Sequence, residues 1–178
     1  MNIIWIYGGV GVGKLTTANE LSLLTNYPSF HNHLVIDLLL QITQEKNEQF
    51  WEACRKIRLS IFDSLSNDLK VEAIIYTAFE GYYGQSDKFV ERVRKVLAPR
   101  GGQIFFTHLY CSKEENLRRV LLPDRALYNK INDIDTYSEI TEGYDYSIPF
   151  PSRIGISIDN TNMPASRVAQ MILENIKT

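Results

Sequence analysis

The apolar positions of this chain fall into short unbroken runs, separated by longer stretches where they recur every three or four residues. Ile3-Ile4-Trp5-Ile6-Tyr7 is β-branched and aromatic throughout, the pattern of a strand buried on both faces. From Lys14 to Leu24, Ala18, Leu21 and Leu24 lie at helical spacing, and this first helix is expected to end near Thr25-Asn26, before Pro28. Ser29-Phe30-His31 reads as a short second strand. The apolar run from His33 to Ile42 reads as a helix with Asn32 as its N-cap. After the polar connection Gln44–Glu48, Phe50, Cys54, Ile57, Ile61 and Leu65 mark an amphipathic helix.

Val71 to Tyr76 is the third strand, and Gly81 and Gly84 bracket an aromatic loop, Tyr82-Tyr83. A helix follows from about Asp87 to Leu97, then a turn at Pro99–Gly102 and a fourth strand from Gln103 to Tyr110. Ser112 with Glu115 three residues on is a capping box, opening a charged helix through Leu117 and Val120 toward Pro123. Asp124 to Tyr146 is polar with weak helical signals, and Pro149 and Pro151 interrupt the chain. Ile154–Ile158 is a fifth strand and Pro164–Ile176 a closing helix. Strands alternating with helices predict an α/β fold, a parallel sheet covered by helices on both faces, in one domain over 1–178.

Composition narrows the classes. The 178 residues are 44% hydrophobic and 22% charged, as in an ordinary globular domain large enough for a real core. A formal net charge of −2 argues against a general binder of nucleic acid or anionic membrane, and no stretch approaches a membrane-spanning length. Cys54 and Cys111 have neither zinc-ligand spacing nor the density of a disulfide scaffold, so reduced thiols in a cytoplasmic protein are expected. The run at Ile3 is expected to be the first strand of the fold rather than a leader.

The chemistry gathers around Gly8-Gly9-Val10-Gly11-Val12-Gly13-Lys14-Leu15-Thr16, which fits the phosphate-loop pattern G-x-x-x-x-G-K between a strand and a helix. Glycines let the backbone curl so that its N–H groups face a polyphosphate, and the following helix adds its N-terminal partial charge. Lys14 is a mobile point charge for the β- and γ-phosphates. Leu15 stands where a magnesium-binding Ser/Thr is usual, and the hydroxyl comes one place later at Thr16. Strand three lacks a plain Walker B ending, leaving Glu80 and Thr77 as open alternatives for metal or substrate. Asn129-Lys130-Ile131-Asn132 fails the guanine motif at its fourth position. His31-Asn32-His33 does not sit in the ββα unit of an HNH nuclease.

With this loop, the arginines after strand four and Asp159-Asn160-Thr161 before Pro164, the chain resembles the P-loop small-molecule and nucleotide kinases, such as the shikimate, gluconate and adenylate kinases. The resemblance spans essentially the whole chain and implies a sheet in the order 2-3-1-4-5. It also implies a substrate-binding helical segment at about 31–70 and a lid at about 117–146. ATP and Mg2+ are implied, with Thr16 toward the α-phosphate as in adenylate kinases and the metal held through phosphates and water. His31 and His33 fall where shikimate and gluconate kinases carry acids, with Asp37 a turn later. His33 or Asp37 would orient the acceptor, because a neutral imidazole with a pKa of about 6.5 accepts a proton at cellular pH. Arg58, expected on the helix opposite its apolar stripe, would meet a substrate carboxylate. Arg119 would stack on adenine, Arg125 would close on the transferred phosphoryl group, and Pro164 would cover the other adenine face or open the last helix at N1. The expected partner is a small hydroxyl- or phosphate-bearing molecule, bound by a monomer or homodimer. A nucleotide-binding module that controls a partner is the alternative, and antibiotic-modifying phosphotransferases share the fold.

Overall fold

The computed structural model describes residues 1–43, 45–67, 70–79, 85–123, 125 and 131–176. Five parallel strands, β1 (Asn2–Gly8), β2 (Ser29–His31), β3 (Ala73–Phe79), β4 (Ile104–Tyr110) and β5 (Gly155–Asp159), form one sheet in the order β2-β3-β1-β4-β5. The helices are α1 (Lys14–Thr25), α2 (His33–Leu40), α3 (Glu48–Ser66), α4 (Gln85–Leu97), α5 (Lys113–Val120), α6 (Ile134–Thr141) and α7 (Ala165–Ile176). The order and the helices on both faces are those expected from the sequence.

The period-2 geometry of β1 divides the core by side-chain type. Ile3, Trp5 and Tyr7 join Tyr76, Phe106, Phe62 of α3 and Phe89 of α4 in a largely aromatic layer. Within it the Trp5 and Tyr76 rings meet edge-on at 4.7 Å. Ile4 and Ile6 face the opposite way, into an aliphatic layer with Ala18 and Leu21 of α1 and Val168, Ala169 and Ile172 of α7. Strand β3 runs three residues past the expected Tyr76, because Thr77, Ala78 and Phe79 continue the ladder opposite Ile6, Tyr7 and Gly8.

Helix ends depart from expectation where a cap is decided by tertiary contacts. Asn32 precedes α2, but its side chain makes no cap bond. Instead its backbone N–H donates to the Thr77 carbonyl, tying the start of α2 to β3. The cap of α3 is Asn47, whose side-chain oxygen accepts from the Phe50 N–H at 3.0 Å. Ser112 Oγ accepts from the Glu115 N–H, but the return half of the capping box is not made, since the Ser112 N–H donates to Thr161 Oγ1. Asp133 caps α6 within the stretch read only as weakly helical. Ile154 precedes β5 and is 89% exposed. Pro164 precedes α7 rather than occupying its first turn, and its carbonyl accepts from Arg167 and Val168. Glu80, the Gly81–Gly84 loop with Tyr82-Tyr83, Asp124 and Asn129-Lys130 lie outside the described residues.

The segment 144–153 crosses the aromatic layer and is held at two points. Buried Arg153 donates to Asp87 at the start of α4 at 2.6 Å, and its guanidinium lies over the Phe106 ring. At the other end, His108 of β4, only 2% exposed, bonds Ser157 Oγ through Nδ1 (2.7 Å) and the Tyr146 carbonyl through Nε2 (3.0 Å). A carbonyl only accepts, so Nε2 carries the proton and Nδ1 accepts from Ser157. Burial, with the Lys14 charge adding to it, holds the His108 pKa below its ordinary value, against an opposing effect of the Tyr146 carbonyl.

Two measurements follow from these contacts. Replacing Asn47 with Ala should lower the unfolding free energy by about 1 kcal/mol, read from the urea midpoint at unchanged slope. The depressed His108 pKa makes the unfolded chain bind the proton first. The stability it contributes is therefore complete above about pH 6.5 and is lost as the pH falls from there toward the folded value. The groups facing it are Tyr7 of β1, Tyr110 of β4, Ser157 of β5, the Tyr146 carbonyl and the Lys14 ammonium. His108→Gln should flatten the fall in unfolding free energy between pH 6.5 and 5, by up to about 1.4 kcal/mol per pH unit; parallel profiles for the two proteins would refute this.

Candidate functional site

All five strands run the same way, so their C-terminal ends share one edge of the sheet. There the chain leaves β1 at Gly8, β2 at His31, β3 at Phe79, β4 at Tyr110 and β5 at Asp159. Such an edge is where open α/β sheets place ligands. The glycine loop Gly8–Lys14 follows the central strand and passes directly into α1. Its backbone requires glycine at two points in particular: Gly11 (φ 78°) and Gly13 (φ 89°) are left-handed, the latter as the residue before α1.

The loop's carbonyls are held by Lys14 and by side chains from beyond the loop. Lys14 Nζ donates to the Gly8 carbonyl at 2.9 Å and also to that of Gly9. Asn116 Nδ2 donates to Val10 O at 2.7 Å. Asn160 Nδ2 donates to Val12 O at 2.7 Å, and Arg119 Nη1 approaches the same oxygen at 3.5 Å. In a trans peptide the carbonyl and the next N–H point in opposite directions. Fixing the Gly8, Gly9, Val10 and Val12 carbonyls therefore aims the N–H groups of Gly9, Val10, Gly11 and Gly13 to the other side. Among the described residues none of these four amides donates to a backbone oxygen. The result is four backbone donors turned away from the held carbonyls and without a backbone acceptor among the described residues, groups that an anion can engage. Leu15 is half-buried and the Thr16 side chain is exposed at the first turn of α1.

Arg119 is placed at the seam between this loop and the turn after β5. Its Nε donates to Glu115, Nη1 to Asn160 Oδ1 at 3.0 Å, and Nη2 to the carbonyls of Asn160 (2.8 Å) and Thr161 (3.3 Å). These bonds run from the rim of the guanidinium and fix the orientation of its plane. Hydrogen bonds from Arg118 and then Arg119 hold the Glu115 carboxyl at a pKa of about 2, so it anchors Arg119 as an anion at any working pH. Pro164 is exposed three residues beyond Thr161. Arg125 is half-buried, with Nε donating to the Ile131 carbonyl at 2.7 Å.

The second group of residues lies at the end of β2. His31 is the last residue of that strand and half-buried. Imidazole Nδ1 of His33 faces Asp37 Oδ1 at 4.0 Å across one turn of α2. Arg58 is not opposite the buried side of α3, as the stripe of Phe50, Cys54, Ile57, Ile61 and Leu65 suggested. The buried row of this helix is Phe50, Cys54, Arg58, Phe62 and Ser66, each four residues from the last. Arg58 is 8% exposed; Nη2 donates to the Asn32 carbonyl, and buried Nε has no hydrogen-bond partner among the described residues. Between the two groups stands Phe79, whose ring centroid is 6.0 Å from Lys14 Nζ and 5.9 Å from that of Tyr146.

Asn116, Tyr137 and Tyr146 were not singled out from the sequence. Asn116 carries a usable signal: it precedes Val120 by one turn and interrupts the buried row of α5 with a polar side chain. Tyr137 and Tyr146 lie in a polar stretch whose periodicity is too weak to orient them.

No protein-family model matches the chain, and no curated protein matches it in sequence. Solved structures do match. The Acinetobacter baumannii shikimate kinase in complex with shikimate aligns with a TM-score of 0.63 at 18% identity, over 99% of this chain and 93% of its own. The Mycobacterium tuberculosis APS kinase in complex with AMPPNP and APS gives 0.59 at 16% identity, over 99% and 98%. The Deinococcus radiodurans tunicamycin resistance protein gives 0.67 at 16%, over 98% and 95%. At these identities the likeness concerns architecture, and the architecture is that of the P-loop kinases.

Proposed function

We propose that this protein is an ATP-dependent phosphotransferase that moves the γ-phosphoryl group to a small hydroxyl- or phosphate-bearing molecule. The observation that carries this reading is the phosphate loop with its carbonyls held outward and its amides facing away from them, next to Lys14. Loop amides from Gly9 to Thr16 hold the phosphates, and Lys14 exchanges its bonds to the Gly8 and Gly9 carbonyls for bonds to phosphate oxygens. Arg119 offers its plane to adenine, and Pro164 borders the other face. Phosphoryl transfer asks the protein mainly for positioning and charge neutralisation.

Magnesium fits this donor set as a hydrated ion. No group of three or more His, Cys, Asp or Glu side chains that could hold a metal occurs among the described residues, and the exposed Thr16 hydroxyl is suited to contact through water. When bound, the metal supplies positive charge at the β- and γ-phosphate oxygens.

The acceptor belongs to the helical segment 31–70. His33, paired with Asp37, receives the proton of the attacking hydroxyl or orients it, with His31 alongside. Arg58, a buried cation with one carbonyl partner, supports an acceptor bearing a carboxylate or phosphate. Residues 117–146 act as the lid, Arg125 closing on the transferred group. Tunicamycin resistance in one fold relative keeps antibiotics among the acceptors to screen. One observation favours the partner-controlling alternative: Leu34, Leu38 and Ile42 form an apolar ridge along and just beyond α2, 50%, 50% and 75% exposed. No helix of the described residues is long and apolar enough to cross a membrane.

The decisive measurement is ATP consumption against pooled metabolites and antibiotics, with Lys14→Ala as the blank. One pool should raise turnover well above water-driven hydrolysis, and Lys14→Ala should abolish at least 100-fold of it, about 2.7 kcal/mol of transition-state stabilisation. Nucleotide binding without turnover in any pool would favour the partner-controlling reading instead. With the acceptor identified, Arg58→Leu should raise its KM at least tenfold while leaving the KM for ATP within twofold. Equal effects on both would remove Arg58 from the acceptor site.

A further inference from the structure

Resting on the nucleotide reading of the loop, the geometry points to Asn116 and Tyr137 as positioning residues that transmit the placement of helix α6 to the Val10–Gly11 peptide of the phosphate loop. Asn116 is 8% exposed and Tyr137 7% exposed. The Tyr137 hydroxyl donates to Asn116 Oδ1 at 2.6 Å in a fully buried hydrogen bond, and Asn116 Nδ2 donates to the Val10 carbonyl at 2.7 Å. The order of donors is forced. Val10 O can only accept, so the amide nitrogen of Asn116 must face it, which leaves Oδ1 to accept from the tyrosine. Reversing the Asn116 amide would set nitrogen against the hydroxyl and oxygen against a carbonyl, leaving buried groups unsatisfied.

What the relay controls is one amide. The Gly11 N–H belongs to the same peptide plane as the Val10 carbonyl, so the grip on that oxygen sets where the N–H aims. The fit is tight on this side: a Cβ on Gly11 would stand 2.9 Å from Asn116 Nδ2 and 2.8 Å from Val120 Cγ2. The other end of the relay is on α6, whose Ile140 carbonyl accepts from the Tyr146 hydroxyl, while the Tyr146 side chain packs where a Cβ of Gly9 would be 3.1 Å away. Helix α6 and the segment after it thus address two successive loop residues, Gly9 by packing and Val10 through Asn116. A purely structural anchor for α6 would need no polar pair. A buried leucine and phenylalanine would hold two helices together without any cost of satisfying hydrogen bonds.

The test combines Tyr137→Phe, Asn116→Leu and the double variant in two readouts, with thermal unfolding as the control for folding. The first is ATP affinity by titration calorimetry. Each single variant should weaken binding between three- and thirtyfold, and the double variant should bind no more weakly than the worse single. Multiplying effects, or unchanged affinity with only a lower melting temperature, would overturn the relay. The second readout needs no nucleotide: in protein labelled with 15N-glycine, Tyr137→Phe should shift the Gly11 amide resonance and leave Gly101 and Gly102 in place. If the wild type binds no ATP and Gly11 still shifts, the relay stands and the nucleotide reading falls. An unmoved Gly11 resonance refutes the relay whatever the affinity.

Discussion

The bond on which the site depends is that between Asn160 and the Val12 carbonyl, repeated in kind by Asn116 at Val10 and by Lys14 at Gly8. A glycine-rich loop is by composition the least constrained stretch of a chain, and its amides converge only if something holds the carbonyls behind them. Here the holding groups come from far along the sequence: Asn116 is 106 residues from Val10 and Asn160 is 148 residues from Val12. The sheet order, with β4 and β5 on one side of β1, brings them together. The two core layers, aromatic on one face and aliphatic on the other, are in this sense the frame that fixes a few peptide planes. Preorganisation of this kind removes the cost of ordering the loop from the binding step.

What could be read from the sequence was what is encoded locally. The loop Gly8–Thr16 was legible because its glycines, its lysine and both flanking elements lie within a short span. The strand order was available only through the resemblance to kinases, since no local pattern sets it. Arg58 was misplaced for a physical reason: α3 is 19 residues long, and its apolar positions fill two adjacent rows. The expected stripe of Phe50, Cys54, Ile57, Ile61 and Leu65 left out Phe62 and Ser66, and so put Arg58 outside it. The burial of Phe50, Cys54 and Phe62 shows the true centre. Ser112 caps α5 as expected, but the other caps were missed. Asn32 had the right residue type, but its backbone was drawn into a bond with β3, while Asn47 and Asp133 were lost in polar stretches where many residues could cap.

Pairing also explains why much of the stretch 117–146, expected to be a lid, was hard to read from the sequence. Between Ile131 and Phe150 the side chains that matter are polar or amphipathic, and their partners are a helix amide, a backbone carbonyl and the loop itself. Hydrophobic periodicity reports burial against a core, and these residues are buried against polar atoms. Their order depends on individual hydrogen bonds, each worth on the order of 1 kcal/mol. A segment held in this way takes a defined position that hydrophobic patterning alone does not report.

Two buried arginines show how far such an argument reaches. Arg153 sits in the aromatic layer with Asp87 and Ser152 for partners and the Phe106 and Phe150 rings about its guanidinium. Its charge is matched inside the fold, so its role is complete without any ligand. Arg58 is equally withdrawn from water, but among the described residues no carboxylate pairs with it, and it rests on one carbonyl. A buried cation with no counter-charge is a standing cost of several kcal/mol in an apolar setting, relieved only in part by one neutral acceptor. Leucine or methionine at position 58 would complete the row of Phe50, Cys54 and Phe62 without that cost. Arg58 meets the Asn32 carbonyl where β2 passes into α2, and under the proposed phosphotransferase reading an anionic group on the acceptor would supply the partner there.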